Sequence, residues 1–313
     1  ARSGSSLVVL PLYPAPRWGR RAAWRRVVFD LMWCIHLWSF GVLAAIGNLA
    51  GTLAFWLIPE RRKVLRINLA KCFPQMPAEK REKLARSNCR FFMRSFIDRA
   101  LVWWAPRERF LRLFTLEGAE HLRALAGKPV ILLAPHFVGV DAACTRVSCD
   151  FPLAGMYQHQ KDPVFDALLL RGRTRFQPDG LAISRQGGVR QVLAALKARV
   201  PVYFAPDLDF GRKDAVFVPF FGVEAATVTS VSRLARASGA SVVPVVTRIL
   251  PGGAGYRTTI LSPLEDFPTE DPVADTRRIN AFIEAQVLAM PEQYFWVHKR
   301  FKTRPEGEPS PYA

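Results

Sequence analysis

Apolar runs that alternate with helix-forming stretches constrain the fold of this chain most strongly. Four short runs, bounded by proline, glycine and polar residues, are typical of buried strands, at 130–133, 153–156, 200–205 and 241–246. Stretches with helical patterning separate them, at 141–147, 163–171, 188–198 and 230–237. Such alternation predicts an α/β fold, in which helices cover the faces of a sheet.

An uncharged segment lies closer to the N-terminus. Residues 31–58 contain no Asp, Glu, Lys or Arg, and a helix needs about 20 apolar residues to cross a bilayer. Basic residues flank the segment on both sides, and tryptophans lie near its ends, as they do at membrane interfaces. His36 and Gly47 soften its apolar character, so we expect a helix, broken near Gly47, that enters one leaflet or lies in the interface. A buried hairpin of a soluble core is the alternative.

The charge balance indicates an anionic partner. Lys and Arg number 44 against 26 acidic residues, a formal net charge of +18. Such an excess suits nucleic acid, an anionic membrane, a phosphorylated substrate or an acidic protein. The five cysteines are odd in number and show no CxxC spacing, which disfavours zinc and a disulfide framework. We therefore predict neither a metal site nor a cofactor.

The block from Ala134 to Asp141 contains the strongest catalytic candidate. His136 follows the strand at 130–133, at the rim where open α/β sheets place their ligand sites. Asp141 comes five positions later, on the first turn of the next helix, and we expect its carboxylate to accept a hydrogen bond from the imidazole. That bond fixes the tautomer and makes His136 a general base for a hydroxyl group. A capping aspartate beside an unrelated histidine is the alternative, since Asp is common at N-caps.

Other polar groups are candidates for binding an anion. Arginines stand beside glycines at 171–173 and 185–190, where a helix N-terminus and guanidinium groups together favour phosphate; solvated arginines beside a turn are the alternative. Paired aspartates follow the third strand and bind Mg²⁺ or orient arginines; the absence of a GxxxxGK[ST] loop favours the second role. Aromatic and cationic residues alternate at 293–302, which suits a phosphorylated headgroup or nucleic acid. The candidate substrate-binding residues are Arg171, Arg173, Arg185, Arg190, Asp207, Asp209 and Arg300.

Taken in order, these blocks resemble the late lipid A biosynthesis acyltransferases of Gram-negative bacteria, the lauroyl/myristoyl transferase type within the lysophospholipid acyltransferase superfamily. The resemblance extends from about residue 31 to residue 305. Two departures stand out: many relatives carry Arg-Pro where this chain has Gln158 and His159, and some carry Glu in place of Asp141. The motifs that carry the resemblance are Arg61-Arg62, Asn68-Leu69, Cys72-Phe73-Pro74, His136-x4-Asp141, Lys161-Asp162-Pro163, Arg171-Gly172-Arg173, Arg185 to Arg190, Asp207 to Gly211, Phe220-Phe221-Gly222, Pro244 and Pro291 to Pro305.

The resemblance implies a glycerolipid acyltransferase-like fold, a mixed sheet flanked by helices, with an N-terminal membrane-associated helix. We expect a basic N-terminus and anchoring helix at 1–60, an acyltransferase domain at 61–305 and a flexible tail at 306–313. The implied reaction moves an acyl chain from acyl carrier protein to the hydroxyl of a hydroxyacyl chain on a Kdo-bearing lipid A precursor, in lipopolysaccharide biosynthesis. His136 would abstract the hydroxyl proton while Asp141 orients it.

The implied partners account for the charge, because the carrier protein is acidic, the acceptor is bisphosphorylated and the membrane is anionic. The expected location is the bacterial inner membrane, with the catalytic domain on the cytoplasmic side. One alternative is a glycerolipid or glycolipid acyltransferase that uses acyl-CoA or acyl carrier protein. A nucleic-acid-binding module is the other, which the uncharged segment at 31–58 disfavours; we expect no nucleic acid partner.

Overall fold

A computed structural model describes residues 30–177, 181–184 and 188–313. Residues 1–29 of the expected basic N-terminus and anchoring helix at 1–60, and the candidate Arg185, lie outside the described residues. The α-helices of the described part, after a short helical segment at 30–35, are α1 Phe40–Leu57, α2 Pro59–Cys72, α3 Ala78–Ile97, α4 Arg99–Trp104, α5 Arg107–Leu113, α6 Ala119–Arg123, α7 Val140–Ser148, α8 Pro163–Thr174, α9 Gly188–Lys197, α10 Ser230–Ser238 and α11 Pro272–Ala289. Single 3-10 turns occur at Pro251–Gly253 and Pro291–Gln293.

A seven-stranded sheet forms the centre of the protein. Its strand order is β1-β9-β8-β2-β5-β3-β4; β8 and β9 are antiparallel and the other neighbours are parallel. A separate antiparallel hairpin consists of β6 and β7. The expected α/β fold with a mixed sheet flanked by helices is confirmed. The strands are β1 Phe114–Glu117, β2 Val130–Leu133, β3 Ala154–Tyr157, β4 Leu181–Ser184, β5 Val202–Phe204, β6 Ala215–Phe220, β7 Val223–Val228, β8 Ser241–Ile249 and β9 Tyr256–Ile260.

The central position of β2 explains its sequence. All four of its residues, Val130 to Leu133, are buried, as a parallel strand covered on both faces requires. It pairs in parallel with β5 on one side and with β8 on the other. Because parallel strands end at the same edge, the residues that follow β2 and β5 meet there. His136 follows β2 and Asp207 follows β5, so the topology brings them together.

Helix α1 packs along α3 through two glycines. A Cβ atom at Gly47 would lie 2.7 Å from the Cα of Arg94, and one at Gly51 would overlap the backbone of Arg90. Small residues four positions apart therefore let the two backbones approach closely. The expected break near Gly47 is wrong, since α1 is continuous there and the interruption lies at 36–39. Gly47 is used for helix packing instead.

The opposite side of α1 presents apolar side chains to the outside. Within the described residues, α1 is the one helix long and apolar enough to cross a membrane, although a core helix of a soluble protein passes the same test. Its burial is partial, because one face covers α3 and the other is exposed as far as the described residues extend. Membrane association of this helix therefore stays a prediction. The exposed apolar side chains on and beside it are Leu31, Trp33, Leu37, Trp38, Val42, Leu49, Leu53, Trp56, Leu57 and Ile58.

The C-terminal segment packs against the body. Tyr312 is only 8% exposed, and its hydroxyl donates to Oδ1 of Asn68 on α2. The hydroxyl oxygen of Tyr312 also accepts from the backbone N–H of Phe301 at 3.1 Å. Lys63 donates to the backbone oxygen of Ala313 at 2.9 Å. The expected flexible tail at 306–313 is thus corrected. The Pro and Glu content of this segment suggested a loose end, but Tyr312 anchors it to the body of the protein.

We predict that Gly51→Ala destabilises the fold. The added methyl group has to displace the backbone of α3, which costs about 1–3 kcal/mol, as overpacking of a tight core does. Gly41→Ala is the matched control on the same helix, because a Cβ there meets nothing within 4 Å. Its higher helix propensity should make it neutral or stabilising by up to about 1 kcal/mol. Thermal unfolding in detergent measures both; equal melting temperatures for the two variants would contradict the close packing.

Candidate active site

A histidine–aspartate pair lies at the carboxyl edge of β2 and β5. The Nδ1 atom of His136 is 2.7 Å from Oδ1 of Asp207, and the backbone N–H of His136 donates to Oδ2 at 2.9 Å. Tyr294 donates its hydroxyl to Oδ2 at 3.0 Å. The Asp207 side chain is 1% exposed and that of His136 is 23% exposed. The aspartate is therefore an interior anchor, while the imidazole reaches the surface of a cavity.

The electrostatics favour an ionised Asp207. Burial by itself would raise the pKa of this carboxyl group, but the charge of His136 and the hydrogen bonds from His136 and Tyr294 outweigh it and hold the pKa below its usual value. Burial and the neighbouring carboxylate raise the pKa of Tyr294 well above its ordinary range, so Tyr294 stays a proton donor. With Asp207 accepting from Nδ1–H, the Nε2 atom of His136 is left as the basic nitrogen.

The structure corrects the expected partner of His136. Asp141 does lie in the first turn of α7, but its carboxylate is bound by Arg173 at 2.5 Å and by Arg99 at 2.8 Å. Burial opposes its ionisation, and the two guanidinium groups overcome that and hold its pKa well below the usual range. Local spacing placed Asp141 near the histidine in sequence, whereas the strand order places Asp207 against the ring. Arg99 and Tyr294 are the two site residues that sequence reasoning missed.

Backbone pairing supports the histidine from a distant segment. Val138 donates its N–H to the oxygen of Gln293 at 2.8 Å, and Phe295 donates to the oxygen of His136 at 3.0 Å. Phe137 and Tyr294 form an isolated antiparallel bridge. The short turn before Tyr294 thus aligns the tyrosine with Asp207. The interleaved aromatics at 293–302 were the sequence signal for this segment, but their pattern suggested a ligand surface.

A cavity of about 650 Å³ opens beside His136, well within the range of ligand sites. Val140, Cys144 and Ser148 line it at four-residue spacing along α7, so it follows one face of that helix. Leu153, at the amino end of β3, and Tyr157, at its carboxyl end, also line it. The cavity therefore extends inward from the catalytic edge along α7 and β3, over about 12 Å, since Val140 and Ser148 are eight residues apart at 1.5 Å per helical residue.

The wall of this cavity combines small and apolar residues with a few polar groups. Gly155 of β3 and Ala182 of β4 leave room at mid-depth. At the inner end, Gln177 accepts from the backbone N–H of Leu153 at 3.0 Å and donates to the oxygen of Phe151. Further lining residues are Asp141, Met156, Gln158, Leu170, Arg173, Thr174, Gly188, Tyr203, Phe204, Ala205, Leu208, Phe210, Lys213, Asp214, Val228 and Ser230.

The candidate arginines separate in space. Arg173 faces the main cavity, where Asp141 holds it, and its Nε atom is buried with no partner among the described residues. Arg171 lies on another side of α8 and lines a second, smaller cavity. Arg190 is exposed on α9. Of the candidate arginines, Arg173 lines the same cavity as His136.

Asp209 and Arg300 hold the chain rather than face a ligand. Asp209 accepts from the backbone N–H of Thr303 at 2.6 Å and from its hydroxyl at 2.7 Å. Arg300 is 2% exposed and donates to the oxygen of Ala226 and to Oγ1 of Thr227 on β7. Their expected roles in substrate binding are corrected, because the hydrogen bonds of both side chains fasten the C-terminal segment to the body of the protein. Asp207 orients a histidine and not an arginine.

His159, one of the two residues that stand where many relatives carry Arg-Pro, belongs to a small hydrogen-bond network after β3. Asp166 accepts from the backbone N–H of Gln160 at 2.6 Å, from Nδ1 of His159 at 3.0 Å and from the hydroxyl of Tyr157. These bonds keep its pKa below the ordinary value although burial opposes ionisation. The His159 side chain is half exposed. Across the described stretches of chain, no cluster of three His, Cys, Asp or Glu side chains is placed to hold a metal ion.

Comparison with known proteins identifies the class. A family model described as bacterial lipid A biosynthesis acyltransferase matches residues 20–303. The lauroyltransferase of lipid A biosynthesis from Escherichia coli (strain K12) is 33% identical over 285 residues, which cover 90% of this chain and 92% of that protein. The palmitoleoyltransferase of the same strain is 32% identical over the same shares, and the myristoyltransferase is 31% identical over 87% and 83%.

Among solved structures, the 1-acyl-sn-glycerophosphate (LPA) acyltransferase PlsC from Thermotoga maritima overlaps 78% of this chain and 97% of its own, with 15% identity and a TM-score of 0.38.

An α/β sheet with a histidine–aspartate pair beside a deep cavity, together with the family match, defines an acyltransferase. More particularly, this chain belongs to the bacterial lipid A biosynthesis acyltransferase family.

We predict that Asp141→Asn lowers the free energy of unfolding by about 1–3 kcal/mol at pH 7. The value lies below the ~3–5 kcal/mol of a fully buried pair because these side chains are partly exposed. Since folding depresses the pKa of Asp141, the stabilisation is present above pH ~4 and is lost as the pH falls below that value. Denaturant unfolding at pH 7 and pH 3 measures it.

Asp150→Asn is the matched control. Asp150 pairs with Arg146 at 2.7 Å across one helical turn, and such pairs contribute about 0.3–0.5 kcal/mol. A loss at Asp141 no larger than that at Asp150, or one that persists undiminished at pH 3, would contradict the network.

Proposed function

We propose that this acyltransferase moves a fatty acyl chain from an acyl carrier protein thioester to the hydroxyl of a hydroxyacyl chain on a Kdo-bearing lipid A precursor. The observation that carries the proposal is the buried Asp207, which leaves the Nε2 atom of His136 free at the wall of a deep cavity. This geometry supplies a general base for a hydroxyl group. Membership of the lipid A biosynthesis acyltransferase family supports the substrates named in this proposal.

The reaction needs one base and no covalent acyl-enzyme. Nε2 of His136 accepts the proton of the acceptor hydroxyl while the hydroxyl oxygen attacks the carbonyl carbon of the thioester. The tetrahedral intermediate then collapses, the carbon–sulfur bond breaks, and the imidazolium returns the proton to the leaving thiolate. Asp207 stays ionised throughout and stabilises the imidazolium. A thioester is already activated, so no further nucleophile is required.

Arg173 is the group proposed to meet negative charge in the cavity. Asp141 and Arg173 share one ion pair, and Arg99 adds a second positive charge to the same carboxylate, so the cluster remains net positive. Arg173 lines the cavity wall, where its guanidinium group is the cationic donor. A donor held by an ion pair loses little freedom when it binds an oxyanion or a phosphate. Asp141 then acts through Arg173 and not through His136.

The inward part of the main cavity is the proposed site of the donor chain. Its middle is lined by small side chains, among them Cys144, Gly155 and Ala182, and it extends away from His136 along α7 and β3. A thioester carbonyl beside the histidine would place its hydrocarbon tail in this direction. Burial of each methylene contributes about 0.8 kcal/mol, so the depth of the cavity should govern which donors react well.

The outer surface suits a membrane-bound, anionic system. The apolar face of α1 lies beside exposed arginines of α3, such as Arg86 and Arg90, and a basic rim around an apolar face favours anionic lipid. The net charge of +18 also attracts an acidic carrier protein and a bisphosphorylated acceptor. We place the enzyme at the bacterial inner membrane, with this domain on the cytoplasmic side.

A transfer assay tests the function and the two central residues together. Membranes that contain the protein should add one acyl group to a Kdo-bearing tetra-acylated precursor from a panel of carrier thioesters, as a gain in mass. His136→Ala should lose about 10²–10⁴-fold in rate because the base is removed. Asp207→Asn should lower kcat over a similar range while the KM for the acceptor changes less than about twofold, since Asp207 contacts His136 and Tyr294 and does not line the cavity.

Asp209→Asn serves as the control for loss of a buried carboxylate. It should affect stability more than kcat, because Asp209 holds Thr303 and does not contact His136. A His136→Ala enzyme with near-normal turnover would overturn the assignment of the base. No transfer from any carrier thioester, but transfer from acyl-CoA to lysophosphatidic acid, would move the function to glycerolipid synthesis.

The proposed donor site predicts a change of chain-length preference in Gly155→Val. A Cβ at Gly155 meets only Sγ of Cys144, at 3.9 Å, so the backbone tolerates the change while the larger side chain fills the cavity. The longest donor accepted by the wild type should lose about tenfold or more in kcat/KM relative to a shorter one, since lost burial of two methylenes costs roughly 1.6 kcal/mol. Gly155→Ala should shift the preference less. An equal loss for every donor length would refute the site.

A further inference from the structure

A second, smaller cavity lies between α4 and α8. Its volume is about 270 Å³, and the residues that line it differ entirely from those of the reaction cavity. Two arginines and several aromatic side chains form its wall, and no carboxylate lines it. The residues are Trp103, Trp104, Ala105, Leu168, Arg171, Gly172, Arg175 and Phe176.

The two cavities lie against different sides of α8. Arg173 faces the reaction cavity, where Asp141 neutralises it in part. Arg171 and Arg175 line the second cavity; they are four residues apart, a spacing that places side chains on one helix face. The chain therefore directs alternate arginines to two sites, separated by about the width of a helix, roughly 10 Å.

Arg175 is held in place before any ligand arrives. Its Nη2 donates to the backbone oxygen of Ala105 at 2.6 Å, and its guanidinium lies 4.1 Å from the ring centre of Phe176. Its Nε atom is buried without an acceptor among the described residues. Burial lowers the pKa of Arg175 to about 10, so the group remains a cation at neutral pH.

Arg171 supplies the adjustable part of the site. Its side chain is exposed, and the described part of the chain offers it no ion-pair partner. Gly172 between the two arginines lets Trp103 lie directly on the helix, since a Cβ there would overlap the indole ring. Arg107 adds a third cation, 5.6 Å from the ring centre of Phe176. Two guanidinium groups in an aromatic wall, with Arg107 close to the same ring, favour an anion that brings two or more oxygens.

We propose that this second cavity binds a phosphate monoester of the glycolipid acceptor, while Arg173 meets the other charged end on the opposite side of α8. The inference rests on the proposed function, because it assumes an acceptor with two separated phosphates. Two cationic sites one helix width apart fit such a ligand, whereas a single phosphate cannot occupy both. Helix α8 would thus lie between the two phosphates and fix the acceptor relative to His136.

The test compares Arg171→Gln with the wild type in detergent, with acceptors that carry both phosphates or either one alone. The KM for the bisphosphorylated acceptor should rise about tenfold, the loss expected for one charge-assisted hydrogen bond. The KM for the carrier thioester should stay within about twofold. With the monophosphorylated acceptor that lacks the phosphate bound here, the variant and the wild type should have equal KM values. Arg171→Lys should recover most of the affinity.

Arg248→Gln is the matched control, because Arg248 is an exposed arginine near the carboxyl end of β8 and lines neither cavity. The inference is overturned by an unchanged KM for the bisphosphorylated acceptor, or by equal rises with both monophosphorylated acceptors, which would indicate a general charge effect. A rise confined to the carrier thioester would make the surface a carrier site instead.

Vesicles separate a bilayer headgroup from the acceptor. Weaker binding of Arg171→Gln to vesicles that contain phosphatidylglycerol, with an unchanged acceptor KM in detergent, would assign the cavity to bilayer phospholipid and overturn the inference. Absence of transfer by the wild type would instead be a failure of the proposed function, and the Arg171 comparison distinguishes the two because it requires an active wild type.

Discussion

The buried carboxylate of Asp207 is the interaction on which the site depends. An ionised group inside a protein is costly unless donors surround it, and here the backbone N–H of His136, its ring and the hydroxyl of Tyr294 all point at the same two oxygens. Two of the donors belong to His136, which follows β2, and the third belongs to Tyr294, which follows the 3-10 turn at Pro291–Gln293, while the acceptor follows β5. The carboxylate therefore fixes the loop after β2, the tautomer of the imidazole and the path of the C-terminal segment at once.

How far the sequence predicts this arrangement depends on the range of each contact. The buried strand β2 and the position of His136 at its end follow from local composition, and both were predicted correctly. The partner of His136 lies 71 residues away, and only the order of strands in the sheet brings it near. Asp141 satisfied the local spacing, but α7 turns its carboxylate toward α4 and α8. No periodicity reports which of two nearby carboxylates a ring will face.

The positive charge shows the same limit. A net charge of +18 predicts anionic partners, yet the arginines serve different purposes. Arg300 is buried and donates its hydrogen bonds to residues of β7. Arg99 and Arg173 both pair with Asp141, whereas Arg171 is exposed at the surface. Composition counts these groups equally, because burial and partners are properties of the folded chain. The tail is a similar case: its polar composition suggested a loose end, and Tyr312 alone reverses that through its contact with Asn68.

The packing of α1 on α3 limits how the protein can meet a bilayer. A helix that crosses the membrane alone needs lipid or another apolar helix on every side. Here Gly47 and Gly51 bring α1 against the backbone of Arg94 and Arg90, so a perpendicular insertion would carry arginines of α3 into the hydrocarbon or tear the two helices apart. Under the proposed membrane association, α1 therefore lies along the interface with its apolar face down. That orientation would keep α3 and its arginines at headgroup level.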